Sequence, residues 1–165
     1  VALYAPSKTF NLAGLVGSYH VIYNKMLKDR HDKESSLGHY NSMNVMSMHA
    51  LIGAYKPEGY EWVAELRQVI TENVNFACDY IRKHFNGVQV SRPQGTYMLF
   101  LDCAQWLGEH NTDMDNLLKA GWNVGVIWQD GRAFHGKTHI RINLALPLSR
   151  VIEAFQRLDQ YVFNA

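Results

Sequence analysis

Lys8 is the first residue whose position suggests chemistry. It lies in the polar turn of residues 5–11, directly after the apolar run of residues 1–4. Loops that follow strands are where α/β enzymes place reactive groups. A lysine amine becomes a useful nucleophile when its surroundings favour the neutral form or when it is bound as an imine. Ser7 beside it could hydrogen-bond a phosphate or orient that imine. The alternative, which the local sequence alone favours, is an exposed loop lysine.

Arg141 is the second candidate. It stands in the middle of a predicted strand over residues 138–145, where alternation puts Ile140 and Ile142 on one face and Arg141 on the other. We expect an arginine in this position to be partly buried. A buried guanidinium needs a partner, and its planar fork suits a carboxylate. That carboxylate belongs either to a substrate or to an Asp or Glu in a structural ion pair, and the sequence favours neither alternative over the other.

The segment 129–136 is the third feature. Gly131 and Gly136 bracket an aromatic residue, which predicts a constrained loop between strands. The loop either forms a lid or wall of a site or, as is commoner, simply connects two strands. His135 and His139 are four residues apart, but no helix is expected there, so they need not share a face and no metal site is predicted.

Composition excludes several classes of function. The 165 residues are 47% hydrophobic and 19% charged, with a formal net charge of +1, which is ordinary globular composition. There is no basic stripe, so we expect no nucleic-acid partner. No apolar run approaches the roughly 18 residues of a membrane span. Cys78 and Cys103 both sit in apolar surroundings, which predicts buried thiols in a reducing compartment and hence a cytoplasmic location.

The elements that must position these residues follow from periodicity and breaker residues. The first part of the chain predicts a buried strand over 1–5, a strand over 16–23, an exposed helix and loop over 24–39 and a packed helix over 42–55. Pro57 and Gly59 are expected to break that last helix. Because the sequence opens directly on an apolar strand, we expect partner strands upstream and a chain that is a fragment.

The clearest periodicity lies in residues 60–85 and predicts one long amphipathic helix, ended by a left-handed cap at Gly87. After it we predict strands over 88–91, 97–103, 123–129 and 138–145, and helices over 112–120 and 149–162. A capping box from Thr112 to Asp115 is expected to begin the first of these helices, and Gly121 to close it. The order predicts an α/β chain with an α+β small domain, in which helices pack on one face of a small mixed or antiparallel sheet.

Four ordered segments then resemble one known family. They are residues 5–15 (APSKTFNLAGL), 59–62 (GYEW), 93–102 (PQGTYMLFLD) and 140–147 (IRINLALP). Together they resemble the fold-type I aminotransferase superfamily, class I and II, which depends on pyridoxal phosphate. The resemblance is greatest to the cystathionine β-lyases of the MalY and PatB type, also called cysteine-S-conjugate β-lyases, and it covers nearly the whole chain.

The resemblance implies roles for the candidate residues. Lys8 would be the lysine that holds pyridoxal phosphate as a Schiff base, Ser7 would lie near the cofactor phosphate, and Arg141 would bind the α-carboxylate of an amino-acid substrate. Relatives often carry Ser or Thr shortly before the lysine, where this chain has Tyr4 and Ala5, so phosphate contacts from those two positions are not implied.

The resemblance also implies an organisation. Residues 1–58 would be the C-terminal remnant of the large cofactor domain, residues 59–86 a long connecting helix and residues 87–165 the small C-terminal domain of the transferase fold. The implied activity is either carbon–sulfur β-lysis or transamination of amino acids in a homodimer. Gln94 and Gly95 replace the Glu-Ala of many lyases, which leans toward aminotransferases. The alternative is an inert α+β fragment that binds no cofactor by itself.

Overall fold

The computed structural model describes residues 1–38 and 43–164. It divides into two compact units, Val1–Leu66 and Arg67–Ala165, and each is described by itself. The first unit contains β1 (Ala2–Tyr4), a 3-10 turn (Ala13–Leu15), β2 (Tyr19–Val21), α1 (Lys25–Leu37), α2 (Val45–Ala54) and the first residues of α3 (Pro57–His84). Residues 39–42 of the predicted loop and helix lie outside the described residues.

The two strands of the first unit are shorter and more exposed than predicted. β1 pairs antiparallel with β2, with Leu3 opposite His20. The expectation of a buried strand over 1–5 is wrong, because Leu3 is 79% exposed. Within the described residues the sheet has only these two strands. The predicted strand over 16–23 shrinks to three residues because Val16 adopts a left-handed conformation (φ 43°) at the end of the 3-10 turn.

Helices of the first unit begin and end at residues with clear chemical reasons. The Asn24 side chain caps α1 by accepting from the Leu27 N–H, and Asn44 caps α2 in the same way. The break expected near Pro57 is confirmed, since α2 ends at Ala54. Pro57 itself begins α3 and does not lie in a loop, because the first helical position needs no N–H donor and favours the proline φ.

The second unit is an α+β structure. Besides the remainder of α3, it contains β3 (Gln89–Val90), β4 (Met98–Asp102), α4 (Ala104–Glu109), α5 (Met114–Asn123), β5 (Gln129–Asp130), a 3-10 turn (Gly131–Phe134), β6 (His139–Asn143), α6 (Leu148–Leu158) and a π-helical turn (Asp159–Phe163). Its four strands lie in the order β3-β4-β6-β5, and every pairing is antiparallel. The predicted fold class is confirmed.

The core of this unit lies between one face of the sheet and the helices. Ile140 on β6 and Leu144 directly after it are fully buried, as are Leu99 and Leu101 on β4. They join one cluster with buried residues of α3, α4, α5 and α6. Alternation therefore leaves Arg141 on the opposite face, as the sequence predicted. Gly87 is left-handed, as predicted, with a φ of 74°, and it lies three residues after the end of α3 at His84.

Several boundaries in the second unit were wrong. Helix α4 was not predicted. Asp113, and not a box from Thr112 to Asp115, caps α5 by accepting from the Asn116 N–H at 2.9 Å. Gly121 does not end α5 but lies inside it. A glycine is needed there because the Trp128 ring occupies the place of a Cβ atom. The predicted strand over 123–129 is reduced to β5, since α5 continues to Asn123.

The remaining sequence predictions concern cysteines and membranes. Cys78 and Cys103 are both free and fully buried, as predicted. Desolvation raises the pKa of both thiols, that of Cys103 to about 12. In the described ranges, no helix combines the length and the apolar character that crossing a bilayer requires.

Asn73 holds the end of the strand that carries Arg141. Its side chain is completely buried on α3, and its Nδ2 donates to the carbonyls of Leu144 and Leu146, both at 2.8 Å. Its Oδ1 has no partner among the described residues. Since buried carbonyls that lose their donors are costly, this amide fixes the path of the chain directly after β6.

We expect Asn73→Ala to lower the free energy of unfolding by about 2 to 4 kcal/mol, because it removes one buried and one partly buried hydrogen bond and leaves a cavity. Chemical denaturation followed by circular dichroism measures the change. Gln68→Ala is the matched control, since Gln68 is an exposed amide on the same helix and should cost less than about 0.5 kcal/mol. Equal small effects of the two variants would contradict this account of the amide.

Candidate functional site

Lys8 lies in a turn that is anchored on both sides. The Phe10 N–H donates to the Pro6 carbonyl at 3.0 Å, and the Leu12 N–H donates to the Ser7 carbonyl at 3.1 Å. Pro6 and Phe10 are buried, whereas Lys8 between them is exposed. The buried residues fix the backbone, so the lysine side chain extends from an ordered turn.

Phe10 is held by an aromatic group that the sequence analysis missed. Its ring packs against Tyr55 at a centroid distance of 5.2 Å and against Tyr60 at 6.2 Å. The Tyr19 and Tyr55 hydroxyls share a hydrogen bond at 3.3 Å, and that bond, with desolvation, raises the pKa of Tyr55 to about 12. No periodicity links these aromatic residues in the sequence, so only the fold reveals that they support the turn.

The surroundings of Lys8 leave its amine available. Among the described residues, no carboxylate lies within ion-pair distance of Lys8 Nζ. Ser7 beside it is half-buried. This exposure agrees with a reactive amine and also with the plain loop lysine that the sequence left open.

Arg141 lies on the face of the second unit's sheet that points away from the core. Its guanidinium carbon is 3.9 Å from the centroid of the Phe134 ring. Across the sheet it pairs with Phe100 on β4 and Gln129 on β5. The residue is half-buried, as expected. In the described part of the chain no Asp or Glu forms an ion pair with it, so the structural ion pair considered from the sequence is not found there.

Asp102 is the carboxylate on the same face, and it is engaged elsewhere. Its Oδ1 accepts from the Ala104 N–H at 3.0 Å and from the Thr138 hydroxyl at 2.8 Å. Desolvation acts to raise the pKa of Asp102, but these hydrogen bonds outweigh it and the pKa is lowered. The carboxylate is therefore stabilised locally and does not neutralise Arg141.

The segment 129–136 is as constrained as its glycines predicted. It consists of β5 and the 3-10 turn Gly131–Phe134, which Asp130 caps by accepting from the Arg132 N–H at 2.8 Å. The Arg132 guanidinium also binds Asp130 and Asp115, and these contacts with Arg132 lower the pKa of Asp130. Within the described residues, no group of three His, Cys, Asp or Glu side chains has a geometry that could hold a metal ion.

The candidate residues are distributed over both units. Lys8 and Ser7 lie in the first unit, and Arg141 lies in the second with Phe134 against it. A family model described as aminotransferase class I and II matches residues 1–158. The chain belongs to the aminotransferase class I and II family.

Curated relatives agree with this membership. The chain is 26% identical over 156 residues to cystathionine beta-lyase PatB of Bacillus subtilis, covering 93% of this chain and 39% of that protein. It is 28% identical over 157 residues to protein MalY of Escherichia coli, covering 88% of this chain and 37% of that protein. The chain thus spans about two fifths of the length of these relatives.

Solved structures show the same fold. The C-S lyase from Staphylococcus hominis, bound to pyridoxal phosphate, matches with a TM-score of 0.85 and 25% identity over 98% of this chain and 42% of that one. Cystalysin from Treponema denticola, which contains pyridoxal 5'-phosphate, matches with a TM-score of 0.84 and 25% identity over 97% of this chain and 40% of that one. The transferase fold expected from the resemblance is confirmed.

Proposed function

We propose that this chain is part of a pyridoxal-phosphate-dependent enzyme that acts on amino acids, as a carbon–sulfur β-lyase of the cystathionine β-lyase type or as an aminotransferase. The observation that carries the proposal is Lys8. In a chain whose family match runs through residues 1–158, this lysine is exposed on an anchored turn with no described carboxylate bound to its amine.

The residues present fit the cofactor on chemical grounds. An aldehyde needs a lysine amine that is reachable and not tied up in an ion pair, and Lys8 meets both conditions among the described residues. Lys8 would hold the cofactor through its ε-amino group, and the half-buried Ser7 would lie beside the phosphate. When bound, pyridoxal phosphate supplies an aldehyde and an electron sink that makes the substrate Cα–H bond acidic.

The chain's own residues then have distinct tasks. The amine of Lys8 would accept the Cα proton of the substrate as a general base. Arg141 binds the substrate α-carboxylate through two parallel N–H donors. Fixing that carboxylate would limit the rotation of the bound substrate.

Both reaction branches use the same two residues. In a β-lyase, the Cα proton and the thiolate at Cβ would be lost, and one water would be consumed in hydrolysis, so that the products would be a thiol, pyruvate and ammonia. In an aminotransferase, Lys8 returns the proton and the amino group passes to a keto acid. The similarity to PatB, a cystathionine beta-lyase, favours the first branch. The residues Gln94 and Gly95 favour the second.

Incubation of the complete protein with cystathionine separates the two branches. We expect pyruvate to form without any added keto acid, because β-elimination needs no amino-group acceptor. Pyruvate is measured by coupled oxidation of nicotinamide cofactor with lactate dehydrogenase. Product formation that requires an added keto acid would assign transamination. A protein that takes up no pyridoxal phosphate and gives neither product would favour the non-catalytic fragment.

We also propose the surrounding organisation. Residues 1–58 belong to the large cofactor domain, residues 59–86 form the connecting helix and residues 87–165 form the small domain. Exposed apolar side chains in the first unit, such as Val45 and Met46 on α2, support a homodimer. The two buried free thiols support a cytoplasmic location.

A further inference from the structure

The Arg141 guanidinium lies against one aromatic ring. Its carbon is 3.9 Å from the Phe134 centroid, well within the range of a cation–π contact. The five N–H donors of a guanidinium lie in its plane. The Phe134 ring occupies one side of the group, so N–H donors on its other side remain for a carboxylate.

The turn that carries Phe134 is fixed from several directions. At its start, Arg132 is held by the carboxylates of Asp130 and Asp115. At its end, the His135 N–H donates to the Arg132 carbonyl at 3.2 Å, and the Gly136 N–H donates to the Gly131 carbonyl at 3.0 Å. The turn is therefore restrained on both sides of Phe134 by contacts that do not involve Arg141.

The glycines of the turn bring it against the strand that carries Arg141. A Cβ atom at Gly136 would lie 2.4 Å from Phe100 Cζ and 2.6 Å from His139 Cβ. One at Gly131 would lie 2.3 Å from the His139 carbonyl oxygen. The turn can approach β6 so closely only because neither position carries a side chain, and this approach puts the Phe134 ring on Arg141.

We infer that Phe134 is a positioning residue, which holds the Arg141 guanidinium in the orientation that receives the substrate α-carboxylate. This inference rests on the proposed function, in which Arg141 binds that carboxylate. An arginine side chain has many rotamers, and ordering it costs free energy at the moment of binding. A ring already in contact with the guanidinium reduces that cost before the substrate arrives.

The test compares two ligands that differ only in the carboxylate. 2-Aminoisobutyrate has an amine and a carboxylate but no Cα hydrogen, so it binds without proton transfer. tert-Butylamine also lacks a Cα hydrogen and has a methyl group in place of the carboxylate. Calorimetry measures both dissociation constants on the complete protein loaded with pyridoxal phosphate. We expect Phe134→Leu to weaken the binding of 2-aminoisobutyrate about 5-fold and to leave the binding of tert-butylamine unchanged.

Further variants separate positioning from general damage. Phe134→Tyr keeps the ring and should bind 2-aminoisobutyrate within about 2-fold of the parent. Tyr161→Leu is the matched control, because Tyr161 is an exposed aromatic residue of the same unit. This substitution should change the dissociation constant of neither ligand. If Phe134→Leu fails to fold, Phe134→Met replaces it with a larger apolar side chain and the same expectation.

A double-mutant cycle tests the route of the effect. In an Arg141→Ala background, Phe134→Leu should have no further effect on 2-aminoisobutyrate, since the guanidinium through which it acts is gone. An effect that persists in that background, or that is equal for both ligands, would overturn the inference. If Arg141→Ala weakens the carboxylate ligand but Phe134→Leu does not, the inference alone fails. If Arg141→Ala itself has no effect, the assignment of Arg141 fails, and the inference with it.

Discussion

Lys8→Ala is expected to reduce turnover of amino-acid substrates in the complete protein by about a thousand-fold or more, because it removes both the covalent anchor of the cofactor and the base that takes the Cα proton. Steady-state assays with added pyridoxal phosphate measure the loss. Borohydride reduction followed by peptide mass spectrometry gives an independent readout, in which the parent carries the cofactor mass on Lys8 and the variant does not.

The control for Lys8 is another lysine of the same unit. Lys33→Ala removes an exposed amine on α1 and should leave both turnover and the reduced adduct unchanged. Full activity in Lys8→Ala, or an adduct at a different lysine, would refute the assignment. Loss of activity in both variants would point to a general effect of removing positive charge.

Arg141→Ala is expected to raise KM for α-amino acids about 10- to 100-fold while the cofactor stays bound, since a charge-assisted pair of hydrogen bonds contributes about 1.5 to 3 kcal/mol. Arg141→Lys should lie between the parent and Arg141→Ala, because a lysine keeps the charge but loses the planar fork. Steady-state kinetics with a series of substrate concentrations measures the change.

A second arginine provides the comparison for Arg141. Arg150 is an exposed arginine of the same unit, paired with Glu153 at 2.8 Å, and Arg150→Ala should change KM less than about 2-fold. The role of Arg141 would be structural, contrary to the proposal, if Arg141→Ala released the cofactor or lowered the unfolding temperature without a selective effect on KM.

The parts of the fold that were predictable are those set by periodicity. The apolar period of α3 was long enough to define the helix, and the alternation around Arg141 correctly separated Ile140 and Ile142 from it. Both patterns depend on burial against a single face, which leaves a strong trace in the order of residues. The short helix α4 left none, because six residues make fewer than two turns.

Long-range packing accounts for the remaining errors. The sequence predicted that Gly121 ends α5, because glycine often closes helices. In the structure it lies inside α5, and its missing side chain leaves space for the Trp128 ring, which comes from outside the helix. The contact between the Phe134 ring and Arg141 could not be predicted from the sequence either. The glycines of its loop predicted constraint, but the direction of the side chain depends on pairs such as Arg132 with Asp115, which lie 17 residues apart.

The sequence predicted the candidate residues of the site but not the side chains that hold them in place. Lys8 and Arg141 stand out by type, position and resemblance, and they remain proposals until the variants are measured. The aromatic residues that support the turn of Lys8 include Phe10 and Tyr55, whose rings are in contact. These two residues are far apart in the sequence and meet only in the folded chain. Such contacts follow from the three-dimensional path of the chain.

The two cysteines have a practical consequence for labelling chemistry. Alkylating reagents and oxidants react with the thiolate form of cysteine. Both sulfurs are buried in the core of the second unit, and this burial keeps them protonated at neutral pH. A cysteine introduced at a surface position would therefore be the reactive one, and a fluorophore or spin label could be attached to this chain without first removing its own thiols.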